Sequence, residues 1–160
     1  MASLLDPSTG LLQQEAFLHL ILRETGRATR YRDFFSLFLF RPDIPDDESD
    51  SAERIATALS RKMSEFVRVT DLVGHLPEGI GILLLHTGHV EAIRVAERVR
   101  TAVAQLEFRS GGPSPRAVTI SAGTVSFPRD GQSPSTLLSR AGRYLRQARQ
   151  RGGDSVVYGS

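Results

Sequence analysis

Arginine carries almost all the positive charge of this 160-residue chain: of 20 basic residues only Lys62 is not Arg, against 18 acidic residues. A guanidinium presents a rigid fork that fits phosphate oxygens, so individual arginines are candidates for anion recognition. The net charge of +2 is too small to indicate a nucleic-acid surface. Carboxylates gather between Asp43 and Asp50, where Asp46, Asp47 and Glu48 follow Pro45. They would bind a cation if they converged, but a polar run with prolines reads first as a solvated loop. His86 and His89 bracket Thr87-Gly88 without a third ligand in pattern, so neither zinc binding nor proton transfer is expected there. His75 falls at a strand end and His19 on a helix. Tyr31, Tyr144 and Tyr158 read as packing residues rather than a base-stacking platform. The absence of Cys excludes disulfides, thiolate zinc and iron–sulfur chemistry. No glycine run ends in Lys-Ser or Lys-Thr, which excludes the phosphate loop of nucleotide hydrolases.

These residues need a scaffold, and the chain alternates the patterns of helix and strand. Apolar spacing predicts helices over 12–27, 51–66, 89–106 and 134–150. The dense run from Phe34 to Phe40 predicts a central buried strand. Arg68 to Leu76 and Ile80 to Leu85 read as an antiparallel pair turned at Pro77-Glu78-Gly79. Ala117 to Phe127 and Ser155 to Tyr158 complete the strands, and Arg109 to Pro115 reads as a Gly/Pro/Ser loop. Helices alternating with strands around one antiparallel hairpin imply an α/β fold with a central mixed sheet. The length suits one domain, residues 1–160. No apolar run is long enough to span a bilayer and no secretory leader is visible, so a soluble cytoplasmic protein is expected.

The opening Asp6-Pro7-Ser8-Thr9-Gly10-Leu11 resembles the Asp-x-Leu-Thr-Gly-Leu lead-in of GGDEF domains, the family whose active members join two GTP molecules into cyclic di-GMP. Val118-Thr119-Ile120-Ser121-Ala122-Gly123 resembles the family's Val-Thr-Val-Ser-x-Gly strand, and Ala141 to Arg149 its closing helix. The resemblance runs from about residue 5 to 158 and implies the nucleotidyl-cyclase-like sheet surrounded by helices. Where the family has its signature, the hairpin reads Pro77-Glu78-Gly79-Ile80-Gly81. Gly79 and Ile80 then stand in place of two acids, Arg41 in place of a metal carboxylate, Gly142 in place of an Asp, and Glu53 near an expected Asp. The resemblance therefore implies a degenerate GGDEF domain that is not an enzyme and uses no catalytic metal.

Arg68-Val69-Thr70-Asp71 resembles the family's Arg-x-x-Asp inhibitory site, five residues ahead of the signature, and Arg98 resembles a further clamping arginine. The implied ligand is cyclic di-GMP, with Arg68 and Arg98 on phosphate oxygens and Asp71 accepting from guanine N–H groups. A surface ion pair between Arg68 and Asp71 is the plain alternative, worth about 0–1 kcal/mol. Loss of these contacts is expected to spare the fold. The resulting expectation is an inactive cyclic di-GMP receptor that relays occupancy to a protein partner or further regulatory domain and dimerises when the ligand cross-links it. A structural or protein-interaction domain binding no nucleotide and an enzyme with a rearranged site are the alternatives.

Overall fold

The computed structural model describes residues 3–109 and 114–160. In chain order its elements are α1 (Gln14–Tyr31), β1 (Phe35–Pro42), α2 (Ser49–Lys62), β2 (Leu72–Leu76), β3 (Gly79–Leu85), α3 (His89–Ala104), β4 (Glu107–Phe108), β5 (Arg116–Ala117), β6 (Ile120–Phe127), α4 (Pro134–Gln150) and β7 (Ser155–Tyr158). β1 lies at the middle of a five-stranded sheet of order β2-β3-β1-β6-β7. It pairs antiparallel with both neighbours, Phe40 opposite Ile80 on one side and Ala122 on the other, while β7 joins β6 in parallel. The sheet is therefore mixed.

Successive residues of β1 feed two cores. Phe35, Leu37 and Leu39 pack with Phe17 and Ile21 of α1 and Leu145 of α4, whereas Phe38 and Phe40 pack with Ile55 and Leu59 of α2 and Val99 of α3. A strand covered on both faces is apolar at consecutive positions, which explains the unbroken run in the sequence. α4 starts as its sequence predicts, with Pro134 in the first turn and the Ser133 hydroxyl accepting from the Thr136 amide. Among the described residues, no helix is long and apolar enough to cross a membrane.

Several boundaries differ from the sequence expectation, each for a local reason. α1 runs on to Tyr31, and Arg32 closes it in the left-handed region at φ 54°. The Thr25 and Thr29 hydroxyls return to carbonyls one turn back, at 2.7 Å each, so this polar last stretch stays helical without an apolar pattern. The strand expected from Arg68 begins only at Leu72, because Arg68 to Asp71 forms a turn closed by the Asp71 amide on the Arg68 carbonyl at 3.0 Å. α2 gives way at Met63 to a single 3-10 turn, Met63–Glu65. The strand expected over 117–127 is split: Arg116–Ala117 pairs with Glu107–Phe108 in a separate ribbon, and Ile120–Phe127 enters the main sheet. Residues 110–113 of the expected Gly/Pro/Ser loop lie outside the described residues.

The N-terminal segment turns across the outer edge of β2. Leu12 donates to the Val73 carbonyl at 3.0 Å and accepts from the His75 amide at 2.9 Å, covering part of an otherwise open sheet edge. Gly10, at φ 77°, lets the chain reverse there, and its amide donates to the Asp6 carbonyl at 2.7 Å. This arrangement brings Asp6 and Thr9 against His75 and forms one wall of a cleft.

Candidate functional site

The cleft has a volume of about 410 Å³ and opens between the end of β1, the β2–β3 turn, α2 and the N-terminal turn. Leu76 pairs with Gly79, so Pro77 and Glu78 form the turn itself. Gly79 passes so close to β1 that a Cβ there would sit 2.3 Å from the Phe40 carbonyl oxygen. Glu78 does not stand free in the cleft. Arg146 of α4 donates to its Oε2 at 2.7 Å, and a Cβ on Gly142 would lie only 2.5 Å from its Oε1. Gly142 thus makes room for the carboxylate, and the hairpin is tied to α4 by an ion pair between residues far apart in sequence.

Arg41, next to last in β1, lines the cleft, partly buried. Burial and the nearby charge of Arg149 hold its guanidinium below the ordinary arginine range, with Asp46, Glu78 and Asp43 acting in the opposite sense. Those acids have other partners. Asp43 accepts from the Thr119 hydroxyl at 2.6 Å, the Ser121 hydroxyl at 2.5 Å and the Asp154 amide at 2.8 Å. Asp46 meets Arg149 at 3.6 Å. The acidic loop of the sequence is therefore dispersed, and among the described residues no group of three or more His, Asp or Glu side chains is placed to hold a metal ion. The donor set at this turn, a guanidinium, a glycine and a carboxylate already neutralised, does not fit a divalent cation.

At the opposite end of the hairpin, Arg68 and Asp71 do come together. The Asp71 carboxylate, with a side chain only 2% exposed, accepts the Arg68 amide at 2.9 Å and the Arg68 Nη2 at 3.3 Å. That Nη2 also donates to the Thr87 hydroxyl at 2.8 Å, while the arginine side chain remains 52% exposed. Asp71 thus caps its own turn. Replacing it with Ala removes the acceptor of the partly buried Arg68 amide, a loss of about 1 kcal/mol. Arg98 lies exposed on α3, nine residues beyond His89.

The histidines take structural places. His86 Nδ1 lies 3.1 Å from Asp33, whose carboxyl is held below its usual range first by Arg27 and then by the Phe34 amide. His89 packs edge-on against Tyr158, so the two histidines flanking Thr87-Gly88 face different neighbours. His75 Nε2 meets the Thr9 hydroxyl at 2.9 Å and Asp6 at 3.1 Å. Hydrogen bonds from the Ser8 hydroxyl and amide, reinforced by Thr9 and His75, hold the Asp6 carboxyl below the usual range against a smaller desolvation effect. A carboxyl depressed in the folded state adds stability that is present above its unfolded value and is lost as pH falls through the folded one. The melting advantage of wild type over Asp6→Asn is expected to be complete above about pH 5 and to shrink below about pH 4. Thermal melts across that range check it, and a difference independent of pH would contradict it.

Known proteins share this architecture. Diguanylate cyclase SiaD from Pseudomonas aeruginosa, solved in complex with its activator SiaC, superposes with a TM-score of 0.86 at 30% identity, over 99% of this chain and 62% of that one. The GGDEF domain of DgcB from Caulobacter crescentus, solved with c-di-GMP, gives a TM-score of 0.86 at 15% identity, over 99% and 94% of the two chains, a likeness of fold. Response regulator PleD from Caulobacter vibrioides is 29% identical over 110 residues, which span 68% of this chain and 24% of PleD. The expectation that the chain lies outside the enzymes is corrected by these matches, because the family and SiaD are diguanylate cyclases. The sequence reading equated two lost metal carboxylates with lost catalysis. That inference compared a few positions at one turn, whereas the matches place nearly the whole chain in an enzyme family. The family profile described as "Diguanylate cyclase, GGDEF domain" matches residues 3–155, and the chain belongs to that family.

Proposed function

We propose that this domain responds to cyclic di-GMP, taking the dinucleotide at the Arg68–Asp71 turn and passing occupancy to a protein partner or an attached domain. The observation that carries the reading is the half-exposed Arg68 fork, held ready by Asp71 and Thr87. An arginine already oriented loses less side-chain freedom when it meets a phosphate than one free in solvent. The turn lies one β2 length from the cleft, about 17 Å for five residues. Ligand there would not block the cleft, and β2 and β3 connect the two ends. Arg98 supplies a second cation for a ligand large enough to reach along α3. The GGDEF domain of DgcB bound to c-di-GMP and the SiaD–SiaC complex support a nucleotide ligand and a protein partner for domains of this kind.

Calorimetric titration with cyclic di-GMP tests the proposal. Binding is expected for wild type, and Arg68→Ala should weaken it by about tenfold or more, the scale of a lost charge-assisted hydrogen bond. Arg68→Ala is a cleaner probe than a change at Asp71, whose carboxylate also holds the turn. A second reading, in which the pair only shapes the β2 approach and no nucleotide binds, is favoured by the full set of donors that Asp71 already holds. A flat titration of folded protein at high concentration would select that reading. Light scattering with and without ligand tests the proposed cross-linking, for which a doubled mass is expected.

A further inference from the structure

The two edges of the main sheet are finished differently. Along β2, Leu12 exchanges backbone hydrogen bonds with Val73 and His75, whereas β7 pairs only with β6, in parallel over Ser155–Tyr158. Successive residues of a strand turn their N–H and C=O groups to opposite edges, so β7 keeps donors and acceptors on the side away from β6. Among the described residues, no backbone group outside β6 pairs with them. A groove of about 440 Å³ lies here, lined by Tyr144 and Gln147 of α4, by Arg151 just beyond it, and by Val156, Val157 and Tyr158. Neighbouring residues of a strand point to opposite faces, so a groove that touches these three in turn runs along the edge and not over one face. Arg151 is the one charged side chain in its lining, exposed and with no hydrogen bond or ion pair of its side chain among the described residues. The neighbouring charges are paired: Asp154 with Arg100 at 2.7 Å and Asp130 with Arg129 at 2.9 Å.

We infer that the outer edge of β7 takes up an extended acidic segment of a partner protein as a sixth strand, with Arg151 meeting a carboxylate of that segment. Backbone pairing supplies the attachment, and the unpaired guanidinium beside it selects the charge. A second copy pairing through its own β7 does not supply this chemistry, since residues 155–160 contain no acidic side chain to offer Arg151. Alternate side chains of the added strand lie beside Tyr158, which packs on His89 of α3, and beside Gln147 of α4. β-Branched residues following an acid suit those positions. β7 stands four strand spacings from β2, about 19 Å, so this edge and the Arg68–Asp71 turn do not share a ligand.

The test is two-dimensional NMR of the labelled protein titrated with the capped peptide Asp-Val-Thr-Val-Thr-Val. Two further peptides serve as comparisons: one with Lys in place of Asp, and the acidic peptide N-methylated at every residue. The acidic peptide is expected to shift the amides of Ser155 to Tyr158 and of Arg151, and to slow hydrogen exchange in β7. N-methylation removes the donors of the added strand and should weaken binding by about tenfold or more. The lysine peptide should bind about threefold or more weakly than the acidic one. Arg151→Glu should reverse that order while leaving the thermal melt unchanged, because the side chain is exposed and unpaired. Unmoved β7 amides at millimolar acidic peptide, equal binding of the N-methylated peptide, or an acidic preference that survives Arg151→Glu would overturn the inference. So would a doubled mass of the unliganded protein in light scattering together with protected β7 amides, which would give the edge to a second copy.

Discussion

Gly123→Ala is expected to lower the melting temperature by about 10 °C, a loss of about 3 kcal/mol. Gly123 sits in β6 beneath α4, and a Cβ there would fall 2.3 Å from the Ala141 carbonyl oxygen and 2.9 Å from the Leu145 amide nitrogen. Both are helix backbone atoms and cannot rotate away. Relief requires α4 to rise from the sheet by about 1 Å, which weakens the dispersion contacts of every side chain beneath it. Those side chains include Leu137, Ala141, Leu145 and Ala148, all buried. The opposing effect, a smaller unfolded-state entropy for Ala, is worth only about 0.4–1 kcal/mol and does not compensate. Circular dichroism melts and urea midpoints check the loss, and a melt within a degree or two of wild type would show that helix and strand are less tightly opposed than their geometry requires.

Gly79→Ala is expected to cost about 2 kcal/mol by the same kind of contact, seen as a fall of about 6 °C in the melt. The clash is with the Phe40 carbonyl oxygen, at 2.3 Å, and the added Cβ also comes within 3.4 Å of the Arg41 Cβ. The effect is smaller than at Gly123 because the hairpin turn can open locally, whereas α4 is seated along its length. Opening the turn pulls on the Glu78–Arg146 pair and shifts one wall of the cleft, so the variant also alters the surroundings of Arg41. Melting curves measure the loss directly; a variant as stable as wild type would mean that β1 and β3 separate at this end without cost.

The central sheet was legible because its pattern is local. Phe35 to Phe40 is apolar at nearly every position, and Pro77 with Gly79 marks the reversal that joins β2 to β3. The resemblance also picked out Gly123, although the reason for a glycine there, the backbone of α4, is distant in sequence. Arg68 to Asp71 was misread as strand because a side chain that folds back onto its own turn leaves no mark in hydrophobic periodicity. Asp43 was read with the acidic loop, yet its partners are Thr119, Ser121 and Asp154, which only tertiary structure supplies. The site showed the same division. Arg68 and Asp71 were found by pattern and do meet. The Glu78–Gly142–Arg146 arrangement combines a charge pair with the space left by a missing side chain, and neither is visible in a linear sequence.

Recognition of cyclic di-GMP at the Arg68–Asp71 turn is tested most directly by two-dimensional NMR of the labelled protein during titration with the dinucleotide. The Arg68 amide is held by the Asp71 carboxylate and the Arg68 guanidinium by Thr87, so a phosphate that engages this arginine must disturb both contacts. Large shifts are expected at the Arg68 amide, the Arg68 Nε–H and the amides of Asp71 and Thr87, with the amides of Arg41 and Glu78 little changed. A saturating titration whose shifts cluster around Arg41 and Glu78, or one that leaves Arg68 and Asp71 unmoved, would contradict the assignment of cyclic di-GMP to this turn.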